Sequence, residues 1–133
     1  MPGFLSPLLG GSDGFLLRNA RTNETLADRL LTAFDSASRR KGLLGRTSFP
    51  SGSALFIAPS NGVHTFFMRF PIDVVFVAKD GRIVKLCRSL APWRMAAALR
   101  AYATIELAAG ALELSDVTVG DRLVIVPRDD EPS

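Results

Sequence analysis

The sequence predicts a mainly β fold, a compact antiparallel sandwich or small barrel with one or two short helices. Apolar residues occur in seven or eight short runs rather than in long stretches with helical spacing. Clusters of Gly, Pro, Asn and Asp separate these runs, as is typical of turns between strands. The length of 133 residues, with 47% hydrophobic and 22% charged residues, suits one soluble domain.

Eight segments combine apolar, β-branched and aromatic residues with turn residues at their ends, which is the pattern of short strands. These segments are residues 15–18, 26–34, 53–58, 64–70, 72–77, 83–90, 104–108 and 122–126. The Asp80-Gly81 pair favours a hairpin between two of them, at 72–77 and 83–90. Strands this short with frequent turn signals are typical of antiparallel sandwiches and small barrels.

Helical structure is expected at one place and left open at another. Asp35 is a suitable N-cap for a short helix over residues 36–41, and Gly42 can end that helix with a positive φ. Residues 92–101, which include Met95, the alanines at positions 96–98 and Leu99, form either a helix or an irregular loop.

The segment 64–70 contains the single histidine of the chain. A period of two residues divides this segment into two faces. One face carries His64, Phe66, Met68 and Phe70, and the other carries Thr65, Phe67 and Arg69. Because aromatic rings lie on both faces, we expect both faces to be at least partly covered.

The chain is expected to form one domain over residues 14–127. Residues 1–13 are rich in Gly, Pro and Ser and are expected to be a flexible leader, and residues 128–133 a polar tail. The N-terminus lacks the basic start and the apolar run of a secretory signal. No window approaches the roughly 18 apolar residues of a membrane span. We therefore expect a cytoplasmic protein without a membrane span.

Charge is unevenly distributed along the chain. The net charge is +3, and removing residues 128–133 leaves 15 basic and 10 acidic residues, or +5. Residues 81–105 carry five basic residues and no acidic one, which could attract an acidic partner or simply form a solvated strand and loop. Three arginines near the predicted helix could bind an anion or form a solvated face. These are Arg39, Arg40 and Arg46. Nucleic acid is not the expected partner, because no nucleic-acid-binding motif accompanies the charge.

Several kinds of site are disfavoured by the composition. The single cysteine, Cys87, cannot form an internal disulfide, and with one histidine it cannot complete a zinc site without carboxylates. No Gly-x-Ser-x-Gly, phosphate-loop or dinucleotide-binding fingerprint occurs. We therefore expect no metal and no cofactor, and no motif assigns a catalytic residue.

Two carboxylates in apolar surroundings are candidates for a site or for structural roles. Asp73 lies within an apolar run, where it requires a partner such as Arg40 or nearby backbone amides. Glu106 lies between Ile105 and Leu107, so it faces either solvent or a cavity. If Asp73 and Glu106 approached each other, they would shift each other's pKa values and favour acid/base catalysis.

The other candidates are a histidine, a methionine, aromatic residues and an arginine. His64 is either a packed imidazole or a functional group, and Met68 is expected in the core. Trp93 beside Arg94 is the best candidate for an exposed recognition rim. The binding candidates are therefore His64, Phe67, Met68, Asp73, Trp93 and Arg94, with Arg40 and Glu106 as polar residues of a site or of the structure.

Several motifs in a fixed order resemble a known family. They are RRKGLLGR at 39–46, the strand entry at 52–56, FFMRFPIDVVFV at 66–77, Asp80-Gly81, IELAAG at 105–110 and VGDRL at 119–123. Together they resemble the bacterial and archaeal family known as domain of unknown function 192, and the resemblance covers about residues 24–127. Phe67 stands where many relatives carry Trp, and the chain resembles the shorter forms without an export signal. The resemblance implies a compact jelly-roll-like β domain with small helical insertions, and it implies no particular activity.

Three hypotheses for function follow. The favoured one is a non-catalytic module that binds a small molecule or a partner through a cleft around residues 64–73 and the aromatic rim. One alternative is an enzyme that uses Asp73 with Glu106 or His64 as acid and base. Another is a protein that docks an acidic partner on the basic surface at residues 82–100. The sequence predicts neither the ligand nor the oligomeric state.

Overall fold

The computed structural model describes residues 3–130 and shows a mainly β fold, as predicted. Within these residues there are ten strands and one α-helix. The strands are β1 (Phe15–Asn19), β2 (Thr25–Ala27), β3 (Arg29–Ala33), β4 (Ser53–Ile57), β5 (Gly62–His64), β6 (Ile72–Val77), β7 (Ile83–Leu90), β8 (Met95–Ala97), β9 (Ala103–Ala108) and β10 (Leu123–Pro127), and the helix is α1 (Ser36–Lys41). Short 3₁₀ turns lie at Ser6–Leu8 and Arg128–Asp130. No helix in the described part of the chain is long and apolar enough to cross a membrane.

The strands form three sheets. The largest has five strands in the order β3-β4-β9-β6-β7, a second has the order β10-β1-β2, and β5 pairs with β8. Neighbouring strands are antiparallel except β3 and β4, which are parallel. None of these sheets closes into a barrel within residues 3–130, so the small-barrel alternative does not hold for this part of the chain.

The parallel pair of strands requires a crossover connection, and α1 lies in it. The Asp35 side chain accepts a hydrogen bond from the Ser38 amide at 2.8 Å and caps the helix, as predicted. Gly42 follows with a φ of 47°, as the helix-stop signal predicted. The chain then packs Leu43 into a cluster on one face of the five-stranded sheet. The crossover therefore covers part of that face.

The two faces of the five-stranded sheet belong to separate hydrophobic clusters. Along β4, Phe56 lies in the first cluster, while Leu55 and Ile57 lie in the second. The first cluster also contains Leu17 and Leu123, so it lies between the five-stranded and three-stranded sheets. Because both faces are covered, β4 and β6 are buried along their whole length.

The N-terminal residues pack into the first cluster. Phe4, Leu5 and Leu8 are buried there. These three side chains do not behave as parts of the flexible leader expected for residues 1–13. Burial of apolar groups lowers the free energy of the protein even in a Gly- and Pro-rich segment. Residues 1–2 of that leader and residues 131–133 of the expected tail lie outside the described residues.

Three segments differ from their expected secondary structure. The strand expected over 64–70 is wrong, because β5 ends at His64 and Phe67 adopts a left-handed φ of 66°. The predicted alternation of its residues between two faces is therefore also wrong. Residues 92–101 contain β8, which pairs with β5, and the strand expected over 26–34 is divided into β2 and β3.

Candidate functional site

A cleft opens on the face of the five-stranded sheet that carries the second hydrophobic cluster. It lies between the residues around the end of α1 and the segment 62–68. Its volume is about 170 Å³. Exposed basic side chains lie at its edge, and one buried carboxylate lies within it. We call it the Glu106 cleft, and it is lined by Arg39, Arg40, Lys41, Gly42, Leu43, Leu44, Ile57, Pro59, Ser60, Gly62, Val63, His64, Met68 and Glu106.

Strand register explains why Glu106 faces this cleft. On β9 it stands opposite Leu55 of β4 and Val74 of β6, and both of these side chains belong to the second hydrophobic cluster. Its neighbours Ile105 and Leu107 belong to the first cluster, on the other face. Of the two environments that the sequence left open, solvent and cavity, the structure shows the cavity. The exposed fraction of Glu106 is 4%.

The Glu106 carboxylate has no hydrogen-bond or ion-pair partner within residues 3–130. Burial raises the pKa of Glu106 to about 7, because the charged form loses its hydration and gains no partner. At neutral pH both protonation states are therefore populated. Such a carboxyl group can donate or accept a hydrogen bond, which suits a general acid or base and also a buried recognition group.

Thr104 is a second buried polar residue on the same face of β9. It precedes Glu106 by two residues, and side chains two positions apart in a strand point the same way. Its hydroxyl oxygen has no hydrogen-bond partner in the described part of the chain. Thr104 is not part of any motif among the sequence candidates. The available signal was the repeat of polar residues, with a period of two, in an otherwise apolar strand.

Three basic residues of α1 lie at the edge of the Glu106 cleft. The guanidinium of Arg39 donates to the Phe34 carbonyl at 2.9 Å, which holds this side chain in place. Arg40 and Lys41 are exposed and form no ion pair with residues 3–130. A shallow depression beside the cleft is lined by Ser36, Arg39, Arg40 and His64. The edge thus presents positive charge where an anion could bind.

Four of the sequence candidates line the cleft, namely His64 and Met68 together with Arg40 and Glu106. Met68 is buried in the second hydrophobic cluster. His64 is exposed, its Nδ1 accepts a hydrogen bond from the Phe66 amide at 3.3 Å, and its ring stacks on Phe66 with centroids 5.0 Å apart. These contacts orient the imidazole and leave Nε2 as the ring nitrogen available to a ligand.

Phe67, Trp93 and Arg94 lie outside the cleft on two neighbouring loops. The rings of Phe67 and Trp93 are 4.6 Å apart, with exposed fractions of 72% and 54%. The Arg94 guanidinium donates to the Trp93 carbonyl at 3.3 Å. Phe66 lies between this exposed pair and His64, since its ring centroid is 5.9 Å from that of Trp93. The structure thus places these candidates beside the cleft.

Asp73 does not belong to the cleft, because it lies on the other face of the sheet, opposite Leu107. It is fully buried, and its two oxygens accept hydrogen bonds from the amides of Ser89 at 2.7 Å and Leu112 at 2.9 Å. The expected pairing with Arg40 is wrong, since Arg40 lies at the Glu106 cleft. The backbone-amide alternative is confirmed. Asp73 and Glu106 consequently form no carboxylate pair.

Some of the basic side chains in residues 81–105 donate hydrogen bonds to backbone carbonyls of the protein. The Lys85 ammonium donates to the Ala97 carbonyl at 2.8 Å, and Arg88 donates to the Val117 carbonyl at 3.5 Å. Within residues 3–130, no group of three or more His, Cys, Asp and Glu side chains could hold a metal ion.

Comparison with known proteins identifies relatives of this chain by sequence and by structure. The model of the DUF192 family, described as an uncharacterised ACR, matches residues 18–125. A solved structure of a candidate transcription regulator from Sinorhizobium meliloti is similar, with a TM-score of 0.71, 23% identity and coverage of 82% of this chain and 89% of that chain. A protein of unknown function from Novosphingobium aromaticivorans has a TM-score of 0.68, 20% identity and coverage of 82% and 81%. No curated protein matches the chain. At these identities the two structures support the fold alone.

Proposed function

Because the chain belongs to the DUF192 family of uncharacterised proteins, we propose its function from the site alone: it binds a small anionic molecule in the Glu106 cleft. The observation that carries this proposal is the buried Glu106 carboxyl group, which has no protein partner and faces an open cleft. An unpartnered buried polar group lowers the stability of a protein. A ligand that donates a hydrogen bond would supply the missing partner.

The residues that line the cleft indicate which functional groups the ligand carries. A hydroxyl or amine group of the ligand would donate a hydrogen bond to Glu106, and an anionic group would bind the basic side chains of α1 at the edge. Leu43 and Met68 provide apolar contacts between these two ends. A few convergent polar groups in an otherwise apolar cleft are typical of small-molecule sites.

The test is a thermal-shift and calorimetric screen of small hydroxylated carboxylates and phosphates against the wild type and three variants. Glu106→Gln and Arg40→Ala should each weaken binding, whereas Arg82→Ala removes an equal charge outside the cleft and should leave binding unchanged. A ligand at about 100 times its dissociation constant stabilises a protein by about 2.7 kcal/mol, which raises Tm by about 4 °C or more. Binding that all three variants retain would place the ligand elsewhere.

A second candidate function is catalysis with Glu106 and His64 as acid and base. Two observations favour it: both residues line the same cleft, and the Glu106 pKa lies near neutral pH. The discriminating result is chemical conversion of a bound compound that stops in Glu106→Gln while binding persists. Binding without conversion would support the non-catalytic module.

Other predictions from the sequence have no specific support from the site. The docking of an acidic partner on residues 82–100 stays a prediction, and it requires binding that weakens steeply as salt increases. The jelly-roll-like arrangement, the single domain over residues 14–127 and the cytoplasmic location also stay predictions.

A further inference from the structure

We propose that the anionic ligand of the Glu106 cleft is a nucleoside phosphate, whose base stacks on an aromatic strip beside the cleft. The strip consists of His64, Phe66, Trp93 and Phe67. This inference rests on the proposed function and names the ligand class of the same site.

The four rings of the strip form a continuous path that starts at the cleft. His64 lines the cleft and stacks on Phe66 at 5.0 Å between ring centroids. Phe66 lies 5.9 Å from Trp93, and Trp93 lies 4.6 Å from Phe67. The two outer rings are more than half exposed. A planar group of a bound ligand that extends out of the cleft would therefore contact exposed aromatic rings.

The backbone holds these outer rings in an unusual conformation. Phe67 has a φ of 66° and Trp93 a φ of 64°, a left-handed region that bulky residues rarely occupy. Strained residues of this kind cluster at binding and catalytic sites. Because both side chains are exposed, burial in the core does not offset the cost of this backbone strain. Recognition of a ligand is a physical reason for the strain.

Thr65 connects the two loops that carry the strip. Its amide donates to the Arg94 carbonyl at 2.8 Å, and its carbonyl accepts from the Trp93 amide at 3.0 Å. Its buried hydroxyl donates to the Ala91 carbonyl at 2.6 Å and accepts from the Arg94 amide at 2.9 Å. The strip is thus pre-organised, which lowers the entropy lost on binding.

Charge near the strip favours an anion over a neutral sugar. Residues 36–72, which include α1 and three of the four rings, contain five basic residues and no acidic one. Residues 81–105, which include Trp93, also contain five basic residues and no acidic one. Aromatic rings beside positive charge are the combination that binds bases and phosphates together.

The arrangement of rings and charges assigns a binding position to each part of the ligand. The base would stack on Trp93 and Phe67, and the phosphate would lie in the depression formed by Arg39 and Arg40. A ribose hydroxyl would donate to Glu106. His64, which lines both the depression and the cleft, stands at the junction. The sequence carries no nucleic-acid-binding motif, so this inference depends on the rings and charges alone.

The experiment uses the single tryptophan of the chain, Trp93, as its reporter. Adenosine 5′-monophosphate should quench its fluorescence by stacking, and calorimetry measures the affinity. Ribose 5-phosphate lacks the base and should bind at least about fivefold more weakly. Trp93→Ala and Phe67→Ala should each weaken nucleotide binding by a similar factor, and Leu114→Ala, which also removes an exposed apolar side chain, should not.

The outcomes separate this inference from the proposed function. Equal binding of ribose 5-phosphate and nucleotide, or binding of other small anions without nucleotides, overturns the inference and leaves the cleft proposal standing. No binding by any anion overturns both. A single-stranded oligonucleotide that binds more tightly than the mononucleotide, with a steep salt dependence, identifies nucleic acid as the source of the nucleotide unit. Tighter mononucleotide binding identifies a free nucleotide.

Discussion

Asp73 and Glu106 lie on adjacent strands of the five-stranded sheet, yet their side chains point to opposite faces. Asp73 stands opposite Leu107, whereas Glu106 stands opposite Val74. Asp73 accepts two backbone hydrogen bonds, and Glu106 accepts none from the described residues. The two buried carboxylates therefore have different environments.

Glu106 should make the protein less stable as pH rises. Its pKa increases from the usual 4.5 to about 7 on folding, so the folded state holds more protons than the unfolded state between these values. The contribution of Glu106 to stability is therefore largest below pH 4.5 and falls until pH exceeds about 7. The total loss of this contribution is about 3 kcal/mol. Urea unfolding at pH 4 and pH 8, compared between the wild type and a variant without this carboxyl group, measures it.

Glu106→Gln is the matched control, since it keeps the shape and removes the titration. The difference in unfolding free energy between variant and wild type should move by about 3 kcal/mol in favour of the variant between pH 4 and pH 8. Other carboxylates cancel in this difference. A constant difference across this range would contradict the burial of an unpartnered carboxyl group.

Asp73→Asn should destabilise the protein at neutral pH. Asp73 now accepts hydrogen bonds from the backbone amides of Ser89 and Leu112, and the substitution would place an NH₂ group against one of these two donors. The expected loss is about 3 kcal/mol, because one donor is left unsatisfied and a charged hydrogen bond is lost. Asp13→Asn, at an exposed position, controls for the loss of charge. Equal urea midpoints for the two variants would show that Asp73 has no structural role.

Gly81→Ala should be much more destabilising than Gly110→Ala. Both glycines have a positive φ, 88° and 93°. A methyl group at Gly81 would lie 2.5 Å from the Leu123 carbonyl oxygen and 2.7 Å from the Phe4 ring, whereas nothing lies within 4 Å of one at Gly110. Gly110→Ala isolates the backbone strain of about 1 kcal/mol, and Gly81→Ala should add about 2 kcal/mol or more. Similar unfolding free energies would mean that neither the Leu123 carbonyl nor the Phe4 ring lies this close to Gly81.

Thr65→Val should loosen the aromatic strip. It removes the hydroxyl that bonds Ala91 and Arg94 while keeping the size of the side chain. The expected loss of stability is about 2 kcal/mol. Trp93 fluorescence should become more accessible to acrylamide. Thr32→Val, at an exposed position of β3, is the control and should change neither measurement.

Patterns that depend on neighbouring residues were predictable from the sequence. The cap at Asp35 and the helix end at Gly42 are examples, because each signal is local and the conformation follows from the residue itself. Strands β6 and β7 were found in the same way, from apolar runs around an Asp-Gly turn.

Features that depend on distant contacts were not predictable. Alternation along residues 64–70 suggested a strand, but the hydrogen bonds of Thr65 to a loop some thirty positions away turn the chain instead. The separation of Asp73 and Glu106 depends on the register of β6 and β9, in which a shift by one residue would reverse the faces. The burial of Phe4, Leu5 and Leu8 likewise depends on a surface made by other strands.

The pairing of β1 with β10 has a consequence for the synthesis of the protein in a cell. Phe15 lies opposite Pro127 and Asn19 opposite Leu123, so β1, the first of the described strands to be synthesised, pairs with β10, the last of them. Translation adds about 5–20 residues per second, which leaves that edge of β1 open for several seconds on every nascent chain. During this interval the edge can pair with another nascent chain and exchange strands with it, so a chaperone that shields β1 should raise the yield of monomer.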